Sequence, residues 1–136
     1  MSDHNPNLPR ALLPEGWPRP PGFSNAMVAE GRMVFIAGQI GMRPDGTFPS
    51  DDFVDQFAQT LLNTRTLLEE AGAGPEHLVR MTWYVTDKQE YLSQLREVGR
   101  TYREILGANF PAMAVVEVSA LVEDRAKVEI ESTAVI

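Results

Sequence analysis

Few residue types in this sequence can do chemistry, and their number limits the kinds of site it can hold. Cysteine is absent, which excludes disulfides, thiolate nucleophiles and cysteine-based metal sites. The two histidines, His4 and His77, lie too far apart in sequence to indicate a histidine-based zinc site. We therefore expect no metal site and interpret His77 as an ordinary loop residue. Acid–base chemistry then falls to glutamate and aspartate carboxylates.

Two glycines mark a second place where chemistry is expected. Gly38 lies inside, and Gly41 just after, the nearly all-apolar run MVFIAGQI. A glycine within a strand indicates a bulge or a close approach by another backbone or by a ligand. Both interpretations stay open for Gly38.

The charge balance argues against nucleic acid as the main ligand. The chain has 12 Lys and Arg against 19 Asp and Glu, a formal net charge of −7. Proteins that bind phosphate backbones cluster their cations, whereas here the basic residues are scattered. No apolar run approaches the roughly 18 residues that a membrane span needs, and the N-terminus has no signal pattern. We expect a cytoplasmic protein without a membrane segment.

Hydrophobic periodicity predicts elements in the order β-β-α-β-α-β-β. The predicted strands are 26–30, 32–40, 78–85, one within 113–122, and 126–135. The first two strands are joined tightly at Gly31. The first helix is expected to begin at an N-cap Ser50 and to end at Gly72, and the second to begin at Asp87 and end at Gly107. Gly99, inside the second helix, costs about 1 kcal/mol relative to alanine, which indicates a packing reason.

The N-terminal segment differs in composition from the rest. Residues 1–22 hold six of the ten prolines, so this stretch is neither a helix nor a central strand. We predict an extended surface arm, followed by a single domain over 23–136. Trp17 is interpreted as packing on its own domain, with a partner contact as the alternative.

The last predicted strand has two different faces. Val128, Ile130 and Ser132 point one way, and Lys127, Glu129 and Glu131 the other. Two helices cover only one face of such a sheet. The opposite face mixes polar and apolar residues, which favours a homo-oligomer with clefts between subunits.

Four segments together resemble one known family. They are AGQIG at 37–41, TWYVTD at 82–87, FPAMAVVEVSAL at 110–121 and KVEIESTAV at 127–135. In this order and spacing they resemble the RidA (YjgF, L-PSP) family, from about Pro21 to the end. The resemblance implies a chorismate-mutase-like (YjgF-like) α/β (α+β) fold, in which a mixed sheet carries two helices packed on one face. It also implies a homotrimer with small-molecule pockets between subunits. Active members hydrolyse enamines or imines without a cofactor.

Carried over residue by residue, the resemblance proposes a changed site. Met113 stands where active members have an arginine that pairs with the substrate carboxylate, and methionine supplies no donor. The family's pocket tyrosine aligns with Phe23, and a helix asparagine aligns with Gly99 after an apparent insertion near 92–95. The candidate catalytic residue is Glu129, which would orient water. The candidate substrate-binding residues are Phe23, Ala37, Gly38, Gln39, Met113 and Val115.

These substitutions predict an apolar pocket with one carboxylate and no cation. A substrate carboxylate buried there without a partner would cost several kcal/mol, so the expected substrate is an enamine, imine or related C–N compound that lacks it. Arg80 would replace the lost arginine only if its side chain entered the cleft, and the strand pattern can place it outside the cleft. Glu129 is alternatively an interface ion-pair residue, and Met113 a gap filler.

Three functions remain open at this point. The first is a RidA-like hydrolase, and the second is a trimer that binds a metabolite without chemistry. The third, a ribonuclease, is disfavoured by the net charge of −7.

Overall fold

The computed structural model of the chain describes residues 8–136; His4 and Pro6 lie outside the described residues. The strands are β1 (Arg10–Leu12), β2 (Ala26–Val28), β3 (Met33–Ile40), β4 (Leu78–Val85), β5 (Ala112–Glu117) and β6 (Val128–Val135). The helices are α1 (Phe53–Glu70), α2 (Lys88–Leu92) and α3 (Leu95–Leu106), with a 3-10 turn at Pro75–His77. None of the helices in the described part of the chain is long and apolar enough to cross a membrane.

A four-stranded mixed sheet organises the domain, in the order β3-β6-β4-β5. β6 pairs antiparallel with β3 and β4, and β5 runs parallel to β4. The parallel pair requires a crossover, which α2 and α3 supply. One face of the sheet is buried under the helices, where Phe57, Leu61 and Met81 are fully excluded from solvent. The predicted α+β fold with a mixed sheet and helices on one face is confirmed.

The last strand has the alternation that its sequence predicts. Val128 and Ile130 are fully buried, while Glu129 is half-buried and Glu131 exposed on the other face. That second face, called the open face below, carries no helix. The exposed apolar side chains Phe35 on β3 and Val116 on β5 show that it is not simply a solvated polar surface.

The N-terminal strands pair differently from the prediction. The tight connection at Gly31 predicted that β2 would lie against β3, but β2 pairs antiparallel with β1 of the proline-rich arm. The segment before β2 is held at the opposite edge of the sheet instead. There the backbone N–H of Ser24 donates to the carbonyl oxygen of Pro111 over 3.0 Å, and the Ser24 hydroxyl donates to that of Phe110 over 2.5 Å. The long-range contacts at Phe110 and Pro111 therefore outweigh the local turn signal.

Three further predictions about the elements need correction. α1 begins after Asp52, whose side chain accepts from the N–H of Asp55, so the N-cap is Asp52 and not Ser50. The second predicted helix is broken into α2 and α3 between Leu92 and Leu95. Trp17 is 58% exposed, so it does not pack as an anchor on its own domain.

Glycine is required by close packing at the end of β3. A Cβ atom on Gly41 would lie 2.7 Å from the carbonyl oxygen of Gln56 on α1, closer than any van der Waals contact. Gly38 lies at a β-bulge, because the β3–β6 register shifts between Ile36 and Gln39. The predicted bulge or close approach is thus confirmed at these two positions.

Gln56, fully buried on α1, fastens the segment that leads into β6. Its amide nitrogen donates to the carbonyl oxygens of Ser50 and Arg125, each over 3.1 Å. Its amide oxygen accepts from the N–H of Lys127 over 2.9 Å. The Gln56 side chain thereby provides hydrogen-bond partners for three backbone groups in two loops, where no neighbouring strand provides them.

We expect Gln56→Leu to lower the free energy of unfolding by about 2–4 kcal/mol, because each buried backbone group left without its partner costs about 1 kcal/mol or more. Urea denaturation followed by circular dichroism measures the change. The matched control is Gln59→Leu, since within residues 8–136 the Gln59 side chain bonds only to Asn63 on the same helix, and a change below about 1 kcal/mol is expected. Equal losses in the two variants would contradict the role given to Gln56.

Candidate functional site

A cavity of about 640 Å³ lies between the α2–α3 segment and the strands β4 and β5. We call it the helix-side cavity. Its walls are mostly apolar and aromatic. They include Phe23, Trp83, Tyr91, Leu92, Leu95, Val98, Gly99, Tyr102, Phe110, Met113 and Val115, with Arg96 and Arg103. A concave, largely apolar space with a few polar groups is the usual form of a small-molecule site.

Two local features of the sequence create this cavity. The hydrogen bonds of Ser24 to Phe110 and Pro111 hold Phe23 beside the start of β5. The break between α2 and α3 separates the helical segments that lie over the sheet. Asp87 caps α2, accepting from the N–H groups of Gln89 and Glu90, as the sequence predicts.

The cavity is not free of cations. Arg96 and Arg103 of α3 contribute to its wall, and both are exposed to solvent. The expectation of an apolar pocket without a guanidinium is therefore wrong. That expectation rested on Met113 of β5, whereas the two arginines belong to α3 on the opposite wall.

Two tyrosines in the wall are kept neutral by their surroundings. Burial raises the pKa of Tyr102 far above its ordinary value and raises the pKa of Tyr91 as well. Tyr102 donates to the carbonyl oxygen of Asn109 over 2.5 Å. The indole N–H of Trp83, in contrast, is buried and has no hydrogen-bond partner within residues 8–136. A buried donor without an acceptor is costly, and Trp83 lies in the cavity wall.

Gly99 has no packing role of the kind that the sequence indicates. A Cβ atom there would meet only Nη1 of Arg103, at 3.7 Å, which is an ordinary contact distance. Glycine is therefore not needed for helix packing at this position. Its effect is to leave space where α3 borders the cavity.

Gly99→Ala is expected to raise the free energy of unfolding by about 0.5–1 kcal/mol, the helix propensity difference. Chemical denaturation measures this. Gly41→Ala is the matched control and should be destabilising by about 1–3 kcal/mol, because its new methyl group meets backbone atoms. A Gly99→Ala protein less stable than the parent would show that the helix packs more tightly there than the structure indicates.

The candidate catalytic glutamate lies away from this cavity. Glu129 is on the open face, where its carboxylate is so close to the bulge that a Cβ atom on Gly38 would lie 2.6 Å from Oε2. No side chain of residues 8–136 donates to it, whereas the neighbouring Glu131 accepts from the Tyr84 hydroxyl over 2.7 Å. That bond to a carboxylate raises the pKa of Tyr84.

Arg80 also lies on the open face. It borders a shallow hollow of about 460 Å³ together with Phe35, Ala37, Thr82, Glu131 and Thr133. The register places Arg80 beside Ala112 of β5 and Thr133 of β6. It does not enter the helix-side cavity of its own chain.

The sheet thus divides the predicted site residues into two groups. Phe23, Met113 and Val115 meet in the helix-side cavity. Glu129 and Gly38 meet on the open face, and Ala37 borders the hollow there; Gln39 donates to the carbonyl oxygen of Ala37. Residues on opposite faces of one sheet cannot contact a single small molecule. Within one chain the two groups stay apart.

No cluster of three potential metal ligands occurs in the part of the chain that the structure describes. His77 accepts the backbone N–H of Gly74 through Nδ1 over 3.0 Å, and it closes the 3-10 turn before β4. This local structural role agrees with its interpretation as a satisfied loop histidine.

Sequence reasoning missed Arg96, Arg103 and Tyr91 as cavity residues. A signal was available, because Arg96 and Arg103 are seven residues apart and so share one face of a helix. The apolar residues of α3 predict its buried face but do not show that the two arginines border a cavity. The break before Leu95 also carries no strong breaker residue, so periodicity runs through it.

A family model described as endoribonuclease L-PSP matches residues 19–136. The chain belongs to the endoribonuclease L-PSP family. Among its relatives, a RutC family protein of Pyrococcus horikoshii is 34% identical over 93% of this chain and 98% of its own. The human 2-iminobutanoate/2-iminopropanoate deaminase is 31% identical over 83% of this chain and 79% of its own. These findings confirm the RidA (YjgF) resemblance.

Solved structures of L-PSP proteins show the same fold. A Rid-family protein of unknown function from Yersinia pestis superposes with a TM-score of 0.84 at 32% identity, covering 94% of this chain and 98% of that one. The Escherichia coli YjgF structure has a TM-score of 0.66 at 32% identity, covering 93% and 98%. The L-PSP match begins at residue 19, so β1 lies outside it.

Proposed function

We propose that this chain hydrolyses the C=N bond of an imine, or of its enamine tautomer, to a carbonyl compound and ammonia. Two relatives carry the name 2-iminobutanoate/2-iminopropanoate deaminase, one human and one from Salmonella typhimurium. The observation that carries the proposal is the position of Glu129. Its carboxylate is half-buried beside Gly38 and accepts no hydrogen bond from another side chain of residues 8–136. Such a group is suited to act as a general base toward water.

The proposed reaction balances without a cofactor. Glu129 accepts a proton from water as the water oxygen bonds to the imine carbon, and the C=N π electrons move to nitrogen. The protonated Glu129 returns this proton to the nitrogen, which gives a carbinolamine. Glu129 then takes the hydroxyl proton of the carbinolamine and passes it to the nitrogen as the C–N bond breaks, so that C=O and NH3 form. Backbone N–H groups near Met113–Val115 and Gly38 would stabilise the developing charge.

The proposed site is completed by a second copy of the chain. The helix-side cavity and Glu129 lie on opposite sides of the sheet, so one copy's open face must meet another copy's cavity edge. The uncovered open face, with its exposed Phe35 and Val116, supports such an interface. A homotrimer, in which each subunit provides both halves, would form three equivalent pockets.

The proposed substrate has no carboxylate on the reacting carbon. Met113 occupies the wall where active relatives place an arginine, and a thioether donates no hydrogen bond. On the β5 wall a small 2-imino acid would place its carboxylate beside Met113 without a donor, at a cost of several kcal/mol, since Arg96 and Arg103 belong to the α3 wall. An imine with an apolar body at this end fits the wall better.

Glu129→Gln is expected to lower kcat for imine hydrolysis about 10²–10⁴-fold, since the amide cannot accept the proton of water. Ammonia release from an imine without a carboxylate on the reacting carbon, generated in the assay from its primary amine by an amine oxidase, measures the rate. Glu131→Gln, on the same strand face, removes an equal charge and should leave the rate unchanged. Unaltered turnover in Glu129→Gln would disprove this mechanism.

Met113→Arg is expected to raise kcat/KM for 2-iminopropanoate at least about tenfold, because a charge-assisted hydrogen bond contributes about 1.5–3 kcal/mol. Met113→Leu is the matched control and should give no gain. Ammonia release from 2-iminopropanoate, generated in the assay by an amino acid oxidase, measures both variants. A Met113→Arg protein that is folded but no faster than Met113→Leu would argue against the role assigned to this position.

A second candidate is a trimer that binds a metabolite without chemistry. It is favoured by the same Met113 and by Phe23 and Val115, which supply no reactive group to the cavity. Incubation with a ligand that stabilises the protein, followed by chromatography, separates the two functions. Unchanged ligand supports binding alone, and a carbonyl product supports hydrolysis.

A further inference from the structure

We propose that the helix-side cavity binds an aromatic carboxylate, with the ring among the aromatic side chains of the wall and the acid group on Arg96 and Arg103. That such a compound is the substrate rests on the proposed function. That such a compound binds rests on the geometry of the cavity alone.

The two arginines are the available cations of α3. Neither has a carboxylate partner within residues 8–136, although the chain carries a net charge of −7. Arg100, on the same helix, forms ion pairs with Glu97 and Glu104. Of the arginines of α3, Arg100 is thus paired with glutamates of the same helix, whereas Arg96 and Arg103 line the cavity. Spaced about 10.5 Å along the helix axis, Arg96 and Arg103 have side chains long enough to meet on one acid group.

Arg103 is held in place by contacts that leave its donors unused. Its guanidinium carbon lies 5.9 Å from the centroid of the Phe110 ring, a cation–π distance. Nη1 lies 3.7 Å from the position of a Cβ on Gly99. Stacking of this kind orients a guanidinium while its edge remains free for bidentate binding of a carboxylate.

The cavity wall indicates what the rest of the ligand is. Trp83 and Tyr102 lie with ring centroids 6.0 Å apart, and Tyr102 and Phe110 are stacked at 5.5 Å. Aromatic rings prefer offset or edge-to-face contacts with further rings. A flat apolar ring that carries an acid group fits both this wall and the two arginines.

This placement makes the acid group of the substrate remote from the reacting carbon. Met113 and Val115 of β5 and the arginines of α3 belong to different walls of the cavity. An imine carbon beside β5 and a carboxylate at α3 would then lie at the two ends of one ligand. In a small 2-imino acid, by contrast, the carboxylate adjoins the imine carbon.

The test compares an acid with its neutral amide. Dissociation constants of 3-phenylpropionate and 3-phenylpropionamide are measured at pH 7 by isothermal titration calorimetry. We expect the acid to bind at least about tenfold more tightly than the amide. The Arg96→Gln/Arg103→Gln double variant should abolish this difference and leave amide affinity unchanged. Arg100→Gln, which removes a paired arginine from the same helix, should keep it.

A second variant locates the ligand. Gly99→Leu places a side chain in the cavity and should weaken binding of acid and amide alike, with thermal unfolding showing that the variant is folded. Undiminished binding in Gly99→Leu would place the ligand elsewhere, for example in the hollow beside Arg80, and would overturn the proposal. Equal affinity for acid and amide, no measurable binding of the acid, or an equal loss in Arg100→Gln would overturn it too.

These results are independent of hydrolysis, because binding of both probes requires no turnover. If Glu129→Gln retains full hydrolytic activity while the acid preference is present, the mechanism fails and the binding site stands. If Glu129→Gln is inactive and the acid preference is absent, the hydrolase stands and the aromatic carboxylate is wrong.

Discussion

Side chains of a β-strand alternate between two faces, and in this domain the helices cover only one of them. Everything about the site depends on this constraint. It places Met113 and Val115 under the helices together with Met81 and Trp83, their neighbours on β4. It places Glu129 on the uncovered face with Tyr84. Because the backbone of the sheet separates its two faces, a side chain on one face does not contact a side chain on the other. Chemistry that needs residues from both faces must therefore join two molecules.

The helix-side cavity exists because packing is incomplete where α2 gives way to α3. The core beside it is dense, with Phe57 against Trp83 at a centroid distance of 4.9 Å. At the break, the aromatic side chains line a space that they do not fill. Gly99 and the attachment of Ser24 to the start of β5 keep that space open on two sides. A cavity of this size is an exception in an otherwise close-packed interior, and a concave apolar space is the usual form of a small-molecule site.

Charge is available in the helix-side cavity although Met113 supplies no hydrogen-bond donor, because Arg96 and Arg103 lie in its wall. Arginines on α3 reach the cavity from the opposite wall and stay in contact with water, which lowers the desolvation cost of a guanidinium. Relatives that are named as deaminases share the fold with this chain, but fold alone does not determine which ligand is chosen.

Much of the fold was predictable because its signals are local. The bounds of β4 agree with the apolar run 78–85. Gly72, which follows the last turn of α1, has a left-handed backbone conformation with a φ of 77°. The alternation of β6 assigns Glu129 to the face without helices. Cap chemistry was nearly as informative, although Ser50 and Asp52 both have the right side chain and only the backbone geometry distinguishes them. Family motifs identified the fold and proposed the residues of the site.

The sequence by itself thus determined the elements, the buried face and the family of this protein. Only the tertiary structure decided that β2 pairs with the proline-rich arm, that the second helix is broken, that Glu129 lies across the sheet from Met113, and that Arg96 and Arg103 reach the cavity. The physical reason is that periodicity and capping depend on residues a few positions apart. Strand partners and cavity walls depend instead on hydrogen bonds and packing between distant segments, such as that of Ser24 with Phe110.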